Sequence, residues 1–211
     1  GRYGGMEAFS LKLVEAFAME SGLKAQLMFK RAGNFALADD LRSAVASSMA
    51  PVKVCAKLSF DLVRAIWQAD LVHVQNPCPD VVYLARLFRR PLLVNVINHL
   101  GEGRSWRQQL WRRGLRLADR RFYISEFVRR SWEGAKTWPR SQVVFPICEL
   151  PEGIVPLAER KGFAFVARWI PNKGIETLVE AYRLAGLDPA EWPLRLMGDG
   201  PLRAGIERRI A

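Results

Sequence analysis

The chain is short of acidic side chains, of histidine and of cysteine. Of 211 residues, 21 are Asp or Glu against 32 Lys or Arg, a formal net charge of +11. A basic surface of this kind suits nucleic acid, anionic lipid or phosphorylated substrates, and charge by itself does not choose among them. There are two histidines, His73 and His99, and three cysteines, Cys55, Cys78 and Cys148, none of them in a CxxC pair. Their spacing fits no metal-ligand pattern, so no metal site is expected. An odd number of scattered thiols argues against a disulfide framework and fits a reduced, cytoplasmic setting. No apolar run is long enough to span a bilayer, and the first residues are not a charged-then-apolar signal peptide. Internal repeats and low-complexity tracts are absent, and no paired carboxylates of the glycosidase kind stand out.

What is present is a globular composition, 50% hydrophobic, in a chain long enough to bury a substantial core. Helical periodicity runs over Gly5–Met19, Leu37–Met49, Leu58–Trp67, Val81–Phe88, Trp106–Leu117 and Glu126–Trp132, with Asp80 as a candidate cap for the fourth. Strands are expected at Ala25–Phe29, Leu71–Val74, Leu92–Ile97, Arg121–Ile124 and Val143–Ile147, several of them apolar on both faces. Alternating strands and helices with such strands predict a parallel sheet covered by helices. His73, inside an apolar strand, reads as a core histidine.

The pattern lapses between Pro146 and Lys161, where prolines, Gly153 and charges cluster. A domain boundary is placed near residue 155, giving units 1–155 and 156–211. The second restarts the alternation at Phe163–Ala167, Ile175–Leu184, Leu194–Met197 and Leu202–Ile210, and is too short to close a doubly wound sheet. The first residues lack a preceding hydrophobic strand, and the last form a helical pattern with no stop signal. The expectation is a piece of a longer protein.

The second unit holds the sharpest motif. Phe165-Val-Ala-Arg168-Trp-Ile-Pro-Asn-Lys173-Gly174 reads as a strand, a turn and a helix start, and Met197-Gly198-Asp199-Gly200-Pro201 follows. Arg168 and Lys173 are delivered where a helix exposes free N–H groups, a setting that suits a phosphate or diphosphate. Read alone, the same residues also fit a solvated Arg at a strand end and a Lys beside a helix terminus.

This pair of elements resembles the donor-binding segment of GT-B-fold glycosyltransferases of the GT4 type, whose wording is close to F-V-G-R-L-x-x-x-K-G followed by V-G-D-G-P. Here Ala167 replaces the usual Gly and Trp169 the usual Leu. The resemblance implies that Arg168 and Lys173 hold the diphosphate of a nucleotide sugar, with Gly198, Asp199 and Gly200 beside it. Gly4-Gly5-Met6-Glu7 opens a helix as the family's G-G-x-E does after its first strand, which implies a loop facing donor phosphates and acceptor. Without the resemblance, Gly4 and Gly5 read as an ordinary flexible loop. His99 ends an apolar strand, at the usual ligand edge of an α/β sheet. The family often has a His or an acidic residue there close to the reacting sugar, and a loop histidine without a role is the alternative. Ser125-Glu126 resembles the family's element late in the first domain. Phe145–Pro151 departs from its Asn-Gly-Val-Asp, and its Glu-x7-Glu element would lie past Ala211.

Arginines crowd the stretch Arg104–Arg130, interleaved with Trp106, Leu110, Trp111 and Leu115. That pattern suits an anionic bilayer surface, nucleic acid, or a solvated helix with its aromatics turned inward. The resemblance implies an α/β, GT-B-like architecture of two Rossmann-like parallel-sheet units, the second incomplete and the first lacking its first strand. It also implies a retaining, metal-independent transfer from a UDP- or GDP-sugar to a hydroxyl of a glycan or lipid-linked acceptor. Such enzymes build polysaccharide or lipopolysaccharide, in the cytoplasm or peripherally on the inner membrane face. No further cofactor and no nucleic-acid partner are expected. The alternatives are a non-catalytic basic module for nucleic acid or anionic membrane, and a sugar-nucleotide epimerase of the same fold.

Overall fold

A computed structural model describes residues 4–20, 22–31, 39–101, 103, 105–145 and 153–210. The chain is α/β with parallel strand pairing throughout the described residues, and it divides into two compact units, Gly1–Ile147 and Cys148–Ala211. The division falls within the Pro146–Lys161 stretch, ahead of residue 155. No helix among the described residues is long and apolar enough to cross a membrane.

The first unit runs α1 (Gly5–Met19), β1 (Leu27–Lys30), α2 (Asp39–Ser47), β2 (Val52–Cys55), α3 (Phe60–Gln68), β3 (Val72–Gln75), α4 (Pro79–Leu87), β4 (Leu92–Val96), α5 (Trp106–Arg116), β5 (Arg120–Tyr123), α6 (Glu126–Glu133) and β6 (Ser141–Val143). Strands β3-β4-β5-β6 form one parallel sheet in that order, and β1-β2 form a separate parallel pair. Leu92, Val94 and Val96 of β4 are fully buried, with Leu115 of α5 and Val82 and Ala85 of α4 packed among them. Side chains alternate faces along a strand, so burial of every second β4 residue places the core against one face while its neighbours stay half-buried. Serines start the helices: Ser59 caps α3, Ser125 caps α6, and Ser105 forms a reciprocal capping box with Gln108 on α5.

Three local expectations are corrected. Val52–Cys55 is a strand that the sequence reading missed. Asp80 does not cap α4, whose N-cap is Cys78; its carboxylate instead takes Lys30 Nζ at 2.7 Å and the Cys78 thiol at 3.0 Å. The cation across the fold outcompetes a local backbone donor. His73 is not a core histidine. It lies on the exposed face of β3 and lines a cavity, where the surrounding protein desolvates the ring and lowers its pKa. Residues 37 and 38 of the second helix, Cys148 and most of the Phe145–Pro151 segment lie outside the described residues.

The second unit has a 3₁₀ turn at Leu157–Glu159, β7 (Phe163–Val166), a 3₁₀ turn at Pro171–Lys173, α7 (Ile175–Ala185), β8 (Leu194–Met197) and α8 (Arg203–Ile210). Strands β7 and β8 pair in parallel, Phe163 opposite Leu194 and Val166 opposite Met197. The core is small: Trp169, Ile175, Val179 and Ile206, with Phe165, Leu196 and Leu202 against it. Phe163 packs outside this core, edge-on to Tyr182 and tilted against Trp192.

Candidate functional site

The second unit brings Arg168, Lys173, Gly198, Asp199 and Gly200 into one backbone assembly. Past the end of β7, Ala167 N–H donates to Met197 O at 3.2 Å and Trp169 N–H donates to Asp199 O at 2.9 Å, which carries the strand pairing into the two loops. Ile170 N–H then donates to Arg168 O and Lys173 N–H to Ile170 O, each at 3.0 Å, winding the turn that bears both cations. Gly174 closes it in the left-handed conformation, φ 74°, and is the N-cap of α7. No side chain caps that helix, so its first N–H groups keep their hydrogen-bonding capacity and the positive end of the dipole is uncovered.

Arg168 and Lys173 are exposed, and among the described residues neither makes an ion pair or side-chain hydrogen bond. Neighbouring charges are otherwise engaged. Glu176 in the first turn of α7 meets Arg209 at 3.2 Å, and Asp199 lies 3.6 Å from Arg203. The turn therefore holds two unneutralised cations next to an uncapped helix start, a set that can receive the oxygens of a phosphate or diphosphate.

Gly198 and Gly200 serve a purpose that motif spacing did not reveal. A Cβ on Gly198 would overlap Ala167 O, and one on Gly200 would overlap backbone atoms of Trp169. Gly198 also has φ 136°, outside the range of L side chains. The glycine loop thus packs directly on the backbone of the cationic turn. The indole of Trp169 is buried beneath it, its Nε1 without a partner.

The first unit collects the other predicted residues at one edge of its sheet. Gly4 is the extended N-cap of α1 with no side-chain cap, and a side chain on Gly5 would meet nothing within 4 Å. His99 follows β4, exposed, its ring tilted against Phe127 at 5.8 Å between centroids. The loop bearing it is pinned by Trp132 Nε1 donating to Asn98 O at 2.8 Å and Leu100 N–H donating to Ser131 Oγ at 3.0 Å. The organiser is Asn76, at the end of β3 with φ 62°. Its Oδ1 accepts from Ile97 and Asn98 N–H at 2.9 and 3.0 Å, and its Nδ2 lies 3.2 Å from Met6 Sδ. Through Asn76, the start of α1 and the His99 loop are fixed to the carboxyl end of the sheet, where open α/β folds bind ligands. The sequence signal for Asn76 is an Asn before Pro where the apolar strand ends.

The arginine-rich stretch separates into two populations. Arg121 and Arg129 are buried, at 4% and 5% exposure. Arg129 meets Glu126 at 2.5 Å and Glu133 at 3.3 Å; Arg121 donates to Ser141 Oγ, to the carbonyls of Leu115 and Ala118, and to Pro139 O. Glu133, fully buried, also accepts from Tyr123 Oη at 2.7 Å, Ser141 Oγ at 2.5 Å and Trp138 N at 2.7 Å. Burial pushes the Tyr123 phenol far above its ordinary range and the Arg121 guanidinium below its own. Glu126 is held near about 2 by hydrogen bonds from Arg129 and Arg130. These two arginines are structural, so the basic stretch is not solvated throughout. The aromatics of α5 do not turn inward: Trp106 is 69% exposed, with Arg107 over its ring at 5.6 Å, and Trp111 is 39% exposed. Arg104 lies outside the described residues.

No protein-family model matches the chain, and no curated protein matches it. No group of three or more His, Cys, Asp or Glu among the described residues could hold a metal ion.

Proposed function

We propose that this chain is part of a retaining, GT-B-type glycosyltransferase that moves a sugar from a UDP- or GDP-sugar to an acceptor hydroxyl. The observation that carries the reading is the Arg168–Lys173 turn: two cations without an ion-pair partner among the described residues, beside an uncapped helix N-terminus, buttressed by Gly198 and Gly200. Breaking the donor's anomeric bond leaves charge on a diphosphate. An Arg fork, a Lys point charge and oriented N–H groups stabilise that charge without reorganising. His99 and the Gly4–Gly5 helix start are the candidate groups for the reacting sugar and the acceptor.

The test is turnover with UDP- and GDP-hexoses in an active form of the enzyme. Arg168→Ala lowers it roughly 10- to 100-fold, the loss of a charged hydrogen bond of ~1.5–3 kcal/mol. Unchanged turnover would remove the site.

The exposed Trp106 and Trp111, with Arg107 between them and Arg112 and Arg113 following, favour a lipid-linked acceptor and a peripheral position on an anionic membrane. Binding to phosphatidylglycerol vesicles that falls steeply with salt, and falls again in Trp106→Ala, supports this. Equal affinity for neutral vesicles would sink it. A non-catalytic basic module would also bind vesicles, but would show no dependence on Arg168.

A further inference from the structure

A groove of about 850 Å³ opens on the first unit between α4, α5 and the loops after β1 and β2. That is the size of a site for one ligand, about 300–1,000 Å³. Its lining is sorted by polarity. Lys30 ends β1, Arg31 follows it, Lys57 lies two residues past β2, and Arg107 stands in the first turn of α5. The bond from Lys30 Nζ to Asp80, at 2.7 Å, gathers the carboxyl end of β1 onto the start of α4. From that cationic end the groove follows α4, where Tyr83, Leu84 and Leu87 share one helical face. Leu110 and Trp111 of α5 form the facing wall, and Tyr83 Oη bridges to Leu110 O at 3.5 Å.

We infer that this groove seats one molecule of a lipid phosphate, its phosphate at Arg31, Lys57 and Arg107 and its hydrocarbon chain laid along α4 towards Leu87. Charge complementarity fixes the head. Asp80 is the one carboxylate in the lining and is paired with Lys30, while Arg31, Lys57 and Arg107 make no ion pair among the described residues. Uncovered apolar surface fixes the tail: Leu87 is 71% exposed and Leu58, beside Lys57, is 57% exposed. The indole of Trp106, at the mouth, stands where polar and apolar walls meet. A nucleic acid would need cations along the whole groove to follow its phosphates, and the lining of the α4 end has none. From Asp80 to Leu87 the helix rises roughly 10 Å, which limits how much of a chain is covered. The assignment rests on the lipid-facing part of the proposed function and gives it a seat for a single molecule; it is independent of the transfer chemistry at Arg168.

The test is calorimetric titration of the 211-residue chain with hexyl, octyl and decyl phosphate, each below its micelle concentration, and with inorganic phosphate and octanol. One-to-one binding is expected, tightening about two- to fourfold per methylene from hexyl to decyl. Inorganic phosphate and octanol should each bind roughly 10-fold more weakly than octyl phosphate. Leu87→Glu, on the exposed helix surface, should weaken decyl phosphate roughly 10-fold and hexyl phosphate far less, because the shorter chain ends before it. Lys57→Glu should weaken all three alkyl phosphates alike, roughly 10-fold. Lys136→Glu makes the same charge change on an exposed residue outside the groove and should alter none. The ligand series on the parent chain needs no variant, so misfolding of a variant leaves the test intact. Affinity independent of chain length, octanol binding as well as octyl phosphate, or an equal loss in Lys136→Glu would overturn the inference. Inorganic phosphate binding as tightly as decyl phosphate would overturn it in favour of a free anion. An oligonucleotide held through Lys57 more tightly than decyl phosphate, and indifferent to Leu87→Glu, would overturn it in favour of nucleic acid. Vesicle binding without decyl phosphate binding would remove the seat and keep the peripheral position, while the transfer reading stands or falls separately on Arg168→Ala.

Discussion

Two sets of cations in this molecule behave in opposite ways. Arg121 and Arg129 lie in the interior of the first unit, with their donors consumed by Glu133, Glu126, Ser141 and backbone carbonyls. Arg168 and Lys173 stand on the surface of the second unit, and among the described residues nothing neutralises them. The first set ties α5, β5, β6 and α6 together in a structural network at whose centre Glu133 meets Arg129, Tyr123, Ser141 and Trp138. The side chains of the second set make no ion pair or hydrogen bond among the described residues, which leaves their donors open to a group outside the chain. Residue type and local charge density would have ranked the arginine-rich stretch as the binding surface. Satisfaction of donors ranks the sparse turn higher.

Breaking this contrast starts with Glu133→Ala. Removing the buried carboxylate leaves Arg121 charged without a counter-ion and Arg129 with Glu126 alone, and should cost about 3–5 kcal/mol in urea denaturation. A loss below about 1 kcal/mol would show that the network is not structural. Gly198→Ala comes next. It forces a side chain into Ala167 O at a positive φ, and should destabilise the second unit by about 3 kcal/mol while displacing the Arg168 turn. Arg168→Ala sharpens the comparison from the other side: stability should stay within about 0.5 kcal/mol of the parent while donor-dependent turnover falls. If it melts early instead, the turn is structural after all.

The smallest effect is one of pH. Asp119 accepts from Leu92 N–H at 2.8 Å and Arg86 Nη2 at 3.0 Å. Burial alone would raise its pKa, but these bonds outweigh it and hold the carboxyl below the ordinary aspartate value of about 4. A depressed folded pKa gives stability that is complete above the unfolded value and is lost as pH falls through the folded one. Stability should therefore decline below about pH 4. Asp119→Asn, measured by denaturant midpoint across that range, should flatten part of the decline.

The elements were legible where pattern is long. Helices α1, α3, α5 and α7 and the continuous apolar β4 follow from periodicity alone. Strand β2 was lost because four residues with one lysine carry too little periodicity to separate from a loop. Asp80 was misassigned because its partner, Lys30, lies fifty residues away, and no local rule weighs a distant ammonium against a near N–H. The burial of Arg121 was hidden because its partners come from several elements, with Ser141 twenty residues on and carbonyls at and just past the end of α5. For the candidate site, spacing located Arg168 and Lys173, but the overlap that makes Gly198 and Gly200 necessary exists only once β7 and β8 are paired. Asn76 was invisible as an organiser because its three partners belong to α1 and the loop after β4.

The close approach of Gly198 and Gly200 has a consequence for how the motif can vary. Both glycines meet main-chain atoms of residues 167 and 169, and main-chain atoms are common to every amino acid. The main-chain part of the fit is therefore independent of side-chain identity and sensitive to residue count, while the Trp169 indole, with Nε1 3.1 Å from where a Cβ on Gly198 would lie, adds a side-chain contact in the core. Inserting or deleting a single residue between Val166 and Gly174 would shift both cations out of step with the helix that follows.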